Sequence, residues 1–298
     1  MTPAHQITLN LSGRLVSLEK PLVMGIVNVT PDSFFAGSRI DGAKALRERL
    51  DTLVREGAAL ADLGAYSSRS GAEEVSPEEE RRRLRPALQI LRDEYPDLPV
   101  SVDTFRSDVA RMAVEEYGAS MINDISGGGL DPAMYRTMAE LQVPYILMHM
   151  KGDPKTMQQQ ASYSDVTLEV IDYFAQRVGQ LLELGVHDII LDPGFGFSKT
   201  TTQNYELLAQ LGSLVEAFTQ PLLVGVSRKS MIYRPLGISP EEALSGTTFV
   251  HALALERGAK ILRVHDVRPA VEAVQLYEEL RPFLRSDGAL HYQHLRPL

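Results

Sequence analysis

Short apolar runs alternate with longer amphipathic segments along almost the whole chain. The short runs are typical of buried strands, and the longer segments repeat their apolar residues at helical spacing. We expect strands at Leu22–Val29, Leu60–Leu63, Val100–Val102, Met121–Asn123, Tyr145–Met148, Ile189–Leu191, Leu222–Val226 and Ile261–Val264. We expect helices at Ala43–Glu56, Pro77–Tyr95, Asp108–Tyr117, Pro132–Leu141, Val166–Leu184, Asn204–Phe218, Pro240–Arg257 and Pro269–Leu284.

Several of these helices carry start and stop signals. Ser76 and Pro77, followed by Glu79, form a capping box with proline at the first helical position. The sequence around Ser239 repeats the pattern, with Pro240 and Glu242. Glycines that follow helical patterns mark helix ends, and they are Gly57, Gly118, Gly185 and Gly258.

The order of the elements predicts the fold class. Eight strand-then-helix units in about 250 residues indicate an α/β protein with a (β/α)8 TIM barrel. A doubly wound open sheet uses the same alternation, but no glycine fingerprint follows the first strand. Ile7–Leu11 and Arg14–Ser17 predict a β-hairpin within residues 1–20. We expect one domain over residues 1–298, with a C-terminal tail at 286–298.

Composition narrows the function classes. The chain has 298 residues, of which 44% are hydrophobic, and its net charge is −9, which argues against a generic nucleic-acid surface. It has no cysteine, which excludes disulfides, thiolate metal sites and cysteine nucleophiles. Neither a signal-peptide pattern nor an apolar run of about 20 residues is present, so we expect a soluble cytoplasmic protein without membrane contact.

Polar residues stand at or just beyond the end of every expected barrel strand. Because the carboxyl ends of barrel strands face one way, these residues should meet at one opening, where unpaired carboxylates would be costly. We therefore interpret them as a functional set. They are Asn28, Asp62, Asp103, Asn123 with Asp124, Met148 with His149, Asp192, the segment Ser227–Ser230, and the segment Arg263–Asp266.

The set offers two kinds of chemistry. The carboxylates and the carboxamide can hold the donor and acceptor edges of a flat heterocycle, beside a lysine cation and apolar surface. These residues are Asp103, Asn123, Asp192, Lys229, Met148 and Phe197. Arg263 and His265 alternate on one strand and can bind an anion, with Asn28 on the neighbouring strand. Oxygen ligands beside a polyphosphate suggest Mg²⁺.

Each candidate also has an ordinary structural explanation. His265 could be a hydrogen-bonded structural histidine, Lys229 a surface lysine, and Met148 a core residue. Tyr66 is interpreted as a packing residue, and the charged run at 78–83 as an exposed helix face. The role of His149 stays open.

The chain resembles the dihydropteroate synthase family in eight stretches that span the barrel. They are MGIVNVTPDSF (24–34), ADLGAYSSRSGA (61–72), SVDTF (101–105), INDISGG (122–128), LMHMKGDPKTMQ (147–158), LDPGFGFSKT (191–200), GVSRKSMI (225–232) and RVHDV (263–267). The resemblance implies a transferase of folate biosynthesis. This enzyme joins 6-hydroxymethyl-7,8-dihydropterin diphosphate to p-aminobenzoate and releases 7,8-dihydropteroate and pyrophosphate.

The resemblance also implies residue roles. The pterin would bind to Asp103, Asn123, Met148, Asp192 and Lys229, and the diphosphate to Asn28, Arg263 and His265. Asn28 would be the Mg²⁺ ligand. The p-aminobenzoate pocket would contain Phe34, Ser68, Arg69, Phe197 and Ser230. The catalytic residues would be Asp103, Asp192, Lys229, Arg263 and His265. The loops after the first two barrel strands would close over the site, and the later helices would form a homodimer.

The sequence departs from the usual family pattern in three places, and two other functions stay open. The departures are the residues after Phe34, the stretch after Asp62, and Ser198, where glycine is common. They leave the expected pterin and diphosphate residues in place. A pterin-dependent methyltransferase would not need Asn28, Arg263 and His265. A non-catalytic pterin-binding homologue would be expected to have lost some of these residues.

Overall fold

Eight parallel strands close into a barrel with helices around it, in a computed structural model that describes residues 7–29, 39–66 and 75–284. The barrel strands are β3 (Leu22–Asn28), β4 (Leu60–Gly64), β5 (Val100–Asp103), β6 (Met121–Asp124), β7 (Tyr145–Met148), β8 (Ile189–Asp192), β9 (Leu222–Val224) and β10 (Ala259–Val264). They follow one another in chain order, and β10 pairs with β3 to complete the ring. The predicted TIM barrel is confirmed.

The helices lie in the connections between strands. They are α1 (Arg39–Glu56), α2 (Pro77–Glu94), α3 (Ser107–Tyr117), α4 (Met134–Leu141), α5 (Val166–Glu183), α6 (Thr201–Ala209), α7 (Leu211–Ala217), α8 (Ser230–Leu236), α9 (Leu244–Glu256) and α10 (Val267–Leu280). Two short 3₁₀ helices lie at Met157–Gln160, between β7 and α5, and at Arg281–Phe283, after α10. Within the described part of the chain, no helix is long and apolar enough to cross a membrane.

An antiparallel hairpin precedes the barrel, as the sequence predicts. Its strands are β1 (Thr8–Leu11) and β2 (Arg14–Ser17). Buried hairpin residues pack against the inward-facing side chains near the amino ends of the barrel strands. This plug contains Leu9, Leu11, Leu18, Met24, Leu60, Met121, Ile146, Ile190, Leu223 and Ile261. The intervening strand residues point outward and pack under the helices. The plug closes one end of the barrel.

Two helix predictions are wrong. The helix expected at 204–218 is two helices, because Gln210 has a non-helical backbone (φ −102°, ψ 15°) that aims Leu211 into the core. The helix expected from Pro240 begins only at Leu244. Residues 240–243 form a separate turn, held by the Ser239 N–H donating to the Glu242 carboxylate (3.0 Å). The sequence pattern also does not predict α8.

The start of α2 is predicted correctly, but its charged run is only partly exposed. The Glu79 N–H donates to the Ser76 hydroxyl (3.2 Å), as in a capping box. The Glu79 carboxylate, however, accepts hydrogen bonds from Arg82 and Arg83 instead of completing the box. Glu80 is fully buried and forms an ion pair with Arg106, which corrects the expectation of an exposed face at that position.

Candidate functional site

Polar side chains gather at the end of the barrel opposite the plug. On four of the barrel strands a polar residue stands two positions after a plug residue, as Asp62 follows Leu60 and Asn123 follows Met121. Side chains two positions apart on a strand share a face, so these polar groups continue the inward-facing column. We call them the mouth. It consists of Asn28, Asp62, Asp103, Asn123, Asp192 and Arg263.

Arg263 occupies the centre of the mouth and joins two carboxylates. Its Nε donates to Asp62 Oδ2 at 2.6 Å, and its Nη2 donates to Asp103 Oδ2 at 2.9 Å. Asp62 has no exposed surface and also accepts from Asn123 Nδ2 (3.2 Å). The two ion pairs of Arg263 therefore link β10 to β4 and β5, which are distant from it in sequence. The half-buried guanidinium is held between two carboxylates and uses two of its five N–H donors in these contacts.

Asp103 and Asn28 face each other across Gly64. A Cβ placed on Gly64 would lie 3.5 Å from Asn28 Oδ1 and 3.7 Å from Asp103 Oδ2, so glycine keeps this space open. Burial raises the pKa of Asp103, whereas Arg263 and the hydroxyl of Tyr66 oppose the rise. The structure therefore brings Asn28 close to the carboxylate that binds Arg263.

Asp192 and Lys229 lie on the opposite side of the mouth. Asp192 Oδ1 accepts from the Gly194 N–H (2.8 Å), and its pKa is raised by burial against the attraction of Lys229. Burial lowers the pKa of Lys229 to about 8. The Lys229 ammonium donates to the Phe195 carbonyl and lies 4.6 Å from the centre of the Phe197 ring. A cation, a carboxylate and an aromatic face are thus adjacent.

His265 extends the column of Arg263 towards the loop after β9. Its Nδ1 is 3.1 Å from the Ser227 hydroxyl. Burial, with Arg263 the next cause, lowers its pKa to about 4, so the ring is neutral near pH 7. Arg49, which sequence reasoning missed, donates to the His265 carbonyl (2.8 Å) and the Ile26 carbonyl (2.9 Å). The backbone of His265 is therefore held by a half-buried cation on α1.

One side of the mouth is apolar. Ile125, Met148, Met150 and Met157 form a buried cluster, and Tyr66, Phe105 and Phe197 pack against it. Met148 and Phe197 were predicted for two different pockets, and here they share one cluster. Tyr66 was interpreted as a packing residue, but its hydroxyl also donates to Asp103 Oδ1 at 3.0 Å, which corrects that interpretation.

Asp124 does not belong to the mouth, although it stands next to Asn123 in the sequence. Its carboxylate accepts from the Tyr145 hydroxyl (2.7 Å), from Ser126 and from the Gly128 N–H. Tyr145 is a core residue beneath the helices, so Asp124 points outward. It stabilises the turn after β6. Adjacent strand residues face opposite sides, which separates the two neighbours.

His149 and Lys199 form a buried pair behind the mouth. The Lys199 ammonium donates to three uncharged acceptors, namely His149 Nδ1 (2.9 Å) and the carbonyls of Gly194 (3.1 Å) and Phe197 (3.2 Å). Burial, followed by the charge of Lys199, lowers the pKa of His149 well below its usual value, so its ring accepts from the lysine. No sequence signal distinguishes this lysine from a surface one.

Ser198 lies in the same loop at the position where the sequence departs from the usual glycine. Its backbone is left-handed (φ +46°), a region that disfavours side chains. The serine hydroxyl compensates by accepting from the Lys151 N–H (2.9 Å) and meeting the Tyr163 hydroxyl (3.2 Å). The departure is therefore accommodated without loss of the loop.

Three of the five residues predicted for the p-aminobenzoate pocket belong to segments that the structure does not describe. Phe34, Ser68 and Arg69 lie outside the described residues. Ser230 is the first residue of α8, directly after Lys229. Among the described residues, no group of three or more histidine, aspartate or glutamate side chains could hold a metal ion by itself. A lone carboxamide oxygen at Asn28 suits Mg²⁺, which keeps waters and phosphate oxygens as its other ligands.

Comparisons with known proteins agree on one family. The family described as "Pterin binding enzyme" matches residues 24–265. The dihydropteroate synthase of Escherichia coli K12 is 41% identical over 268 residues, which cover 89% of this chain and 94% of that protein. The Synechocystis sp. enzyme of the same name is 42% identical over 265 residues, covering 88% and 91%.

Solved structures give the same result. Yersinia pestis dihydropteroate synthase in complex with a sulfonamide drug has a TM-score of 0.86 at 37% identity, and the match covers 93% of this chain and all of that one. Xanthomonas albilineans dihydropteroate synthase with 4-aminobenzoic acid has a TM-score of 0.85 at 40% identity, covering 93% and 98%.

Proposed function

Because the chain belongs to the dihydropteroate synthase family of pterin-binding enzymes, we propose that its mouth is the active site of the synthase reaction. The enzyme is a transferase of folate biosynthesis. It joins 6-hydroxymethyl-7,8-dihydropterin diphosphate to p-aminobenzoate and releases dihydropteroate and pyrophosphate. The observation that carries the assignment of residues is the buried cluster of Arg263 with Asp62 and Asp103.

The pterin binds to the polar floor of the mouth. Asp103, Asn123 and Asp192 offer carboxylate and carboxamide atoms that match the amino and amide edge of a pterin ring. Lys229 supplies a hydrogen bond and a positive charge, and Met148 contributes apolar surface for the ring face. All five come from inward-facing positions or the loop beside them, so a flat ring can meet them together.

Arg263, His265 and Asn28 bind the diphosphate. Arg263 is a half-buried cation, and the neutral His265 ring can donate one N–H to an anion. Asn28 provides the oxygen that fits Mg²⁺, and the remaining metal ligands would be diphosphate oxygens and water. Bound Mg²⁺ would offset part of the negative charge of the departing diphosphate.

The residues around the pterin then assist bond exchange. The bond between the pterin methylene carbon and the diphosphate oxygen breaks, and its electron pair leaves with pyrophosphate. Asp103 and Asp192 favour the positive charge that develops on the methylene group. The aromatic amine forms the new carbon–nitrogen bond and loses one proton to water. A strong general base is not needed, because the amine is already nucleophilic.

The p-aminobenzoate pocket lies beside the apolar cluster. Phe197 packs against the cluster that contains Met148, so the two substrates would meet there. Ser230 is close in sequence to Lys229 and is proposed to contact the same substrate, as are Phe34, Ser68 and Arg69. The Xanthomonas albilineans relative, solved with 4-aminobenzoic acid, supports a pocket of this kind. The loops after β3 and β4, which the resemblance expects to close over the site, lie mostly outside the described residues.

A coupling assay tests the function, and one substitution tests the assignment. Purified protein with the pterin diphosphate, p-aminobenzoate and Mg²⁺ should release pyrophosphate and form dihydropteroate. Arg263→Ala should weaken binding of the pterin diphosphate about 100-fold, because a buried charge contact is lost, and weaken binding of the free pterin much less. Arg47→Ala, at a surface ion pair, is the control. Equal losses for both ligands would refute the role of Arg263.

We further propose a homodimer formed by α9 and α10. Their shared outer surface exposes large apolar side chains, including Phe249 (65% exposed) and Leu276 (71%). Phe283, just after α10, is 80% exposed. Several large exposed apolar side chains on neighbouring helices are typical of protein–protein interfaces. A second copy of the chain would cover them without contact to the mouth residues described above.

A further inference from the structure

Tyr66 stands where the apolar cluster meets the charged part of the mouth. It follows β4 and lies edge-on to Phe105, with ring centroids 5.3 Å apart. Its ring packs against the cluster that contains Met148, and Phe197 packs against the same cluster. Its hydroxyl points to the other side and donates to Asp103 Oδ1 at 3.0 Å. The side chain therefore joins Asp103 of the proposed pterin pocket to the apolar cluster against which Phe197 of the proposed p-aminobenzoate pocket also packs.

The hydroxyl completes the set of partners around Asp103. Arg263 donates to Oδ2 at 2.9 Å, so each carboxylate oxygen has one donor of its own. Burial, with the charge of Asp103 next, raises the pKa of Tyr66 well above its usual value, so the phenol keeps its proton. A phenol can donate only one hydrogen bond, and here the Asp103 carboxylate accepts it. The carboxylate is thereby held at one angle.

Tyr66 is uncharged in a part of the mouth that already contains several carboxylates. Asp62 already adds a second negative charge beside Arg263, and Glu80 is a further carboxylate that acts on Asp103. A charged acceptor in place of Tyr66 would add repulsion in a dry site. A phenol instead offers a donor and apolar ring surface, without added charge.

We propose that Tyr66 is a positioning residue of the synthase reaction. Its hydroxyl orients the Asp103 carboxylate for the pterin, and its ring supports the apolar cluster that the two proposed pockets share. This role rests on the proposed pterin contact of Asp103. The two functions of the side chain can be separated, because the hydroxyl can be removed while the ring is kept.

Tyr66→Phe removes only the hydroxyl. We expect the dissociation constant of 6-hydroxymethyl-7,8-dihydropterin, measured by calorimetry, and the KM for the pterin diphosphate to rise about tenfold, as for loss of a hydrogen bond to a charged group. The KM for p-aminobenzoate should change less than about twofold. Tyr66→Leu, which also removes the aromatic ring, should raise both KM values. A purely structural role would give no such split between substrates.

Tyr95→Phe is a matched control, because the Tyr95 hydroxyl donates to the Asp51 carboxylate (2.7 Å) far from the mouth. It should leave both KM values unchanged. Asp103→Asn tests the proposed pterin contact of Asp103 separately from the positioning role of Tyr66. If Asp103→Asn leaves pterin binding intact, the proposed pterin contact fails, and the role of Tyr66 fails with it. If Asp103→Asn weakens binding but Tyr66→Phe does not, the role of Tyr66 alone is overturned.

Discussion

Lys199 is a buried lysine that has no carboxylate in hydrogen-bond contact among the described residues, so its charge should make folding depend on pH. Only 3% of its surface is exposed, and its ammonium donates to His149 and to two carbonyls. Burial lowers its pKa from 10.5 to about 7. Replacement by methionine, which has a similar length and no charge, removes this titration. It also removes the three hydrogen bonds, so the change in unfolding free energy at a single pH combines the loss of these bonds with the loss of the buried charge.

The pH dependence is diagnostic instead. Between pH 7 and 10.5 the unfolded chain holds about one more proton at this site than the folded chain, so a rise in pH favours the folded state. The slope is about 1.4 kcal/mol per pH unit. From pH 7.5 to 9 the wild type should therefore gain about 2 kcal/mol in unfolding free energy relative to Lys199→Met. The other titrating groups are common to both proteins, and His149, whose pKa is lowered first by burial and only second by Lys199, stays neutral over this pH range in both.

Urea unfolding followed by far-UV circular dichroism, at fixed protein concentration, measures this difference at both pH values. Lys151→Met is the control, because Lys151 is partly exposed and forms an ion pair with Glu169 (2.6 Å). Its difference from the wild type should vary much less with pH. If the difference between the wild type and Lys199→Met is the same at pH 7.5 and pH 9, the reasoning about the buried charge is refuted.

Two further predictions concern the loop after β8 and the proposed dimer. Gly194→Ala should lower the unfolding free energy by more than about 3 kcal/mol in urea, because the backbone is left-handed (φ +68°) and a Cβ would overlap the His149 carbonyl. Gly179→Ala, in a helix with open space, should stabilise the protein slightly, and similar effects of both changes would contradict this account. Phe249→Asp should convert a dimer into a monomer in analytical ultracentrifugation, whereas Leu182→Asp, at an exposed leucine of α5, should not. A wild-type protein that sediments as a monomer would refute the proposed interface.

The barrel and its polar opening could be predicted because local rules determine them. Strand and helix periodicity specifies the order of the elements, and the common direction of the strands brings residues such as Asp103 and Arg263 to one end. The same rule explains one failure. Asn123 and Asp124 stand side by side in the sequence, but only Asn123 faces inward, and a strand end alone does not reveal which neighbour does so.

The supporting contacts could not be predicted, because they join segments that are distant in sequence. Arg49 on α1 fixes the backbone of His265, and Lys199 holds His149 and its own loop. Tyr66 looks like an ordinary aromatic residue until its hydroxyl is seen beside Asp103. Each of these side chains is common on protein surfaces. Their roles come from tertiary contacts and burial, which no local pattern encodes.

The apolar plug beneath the barrel has a kinetic consequence. Because the hairpin closes one end, substrates can reach the mouth residues only from the opposite end of the described barrel. Asn123 is almost fully buried, whereas Phe197 is more exposed, so the proposed pterin site lies deeper than the proposed p-aminobenzoate pocket. With this arrangement the pterin would have to bind before p-aminobenzoate, and dihydropteroate would have to leave before the next pterin enters.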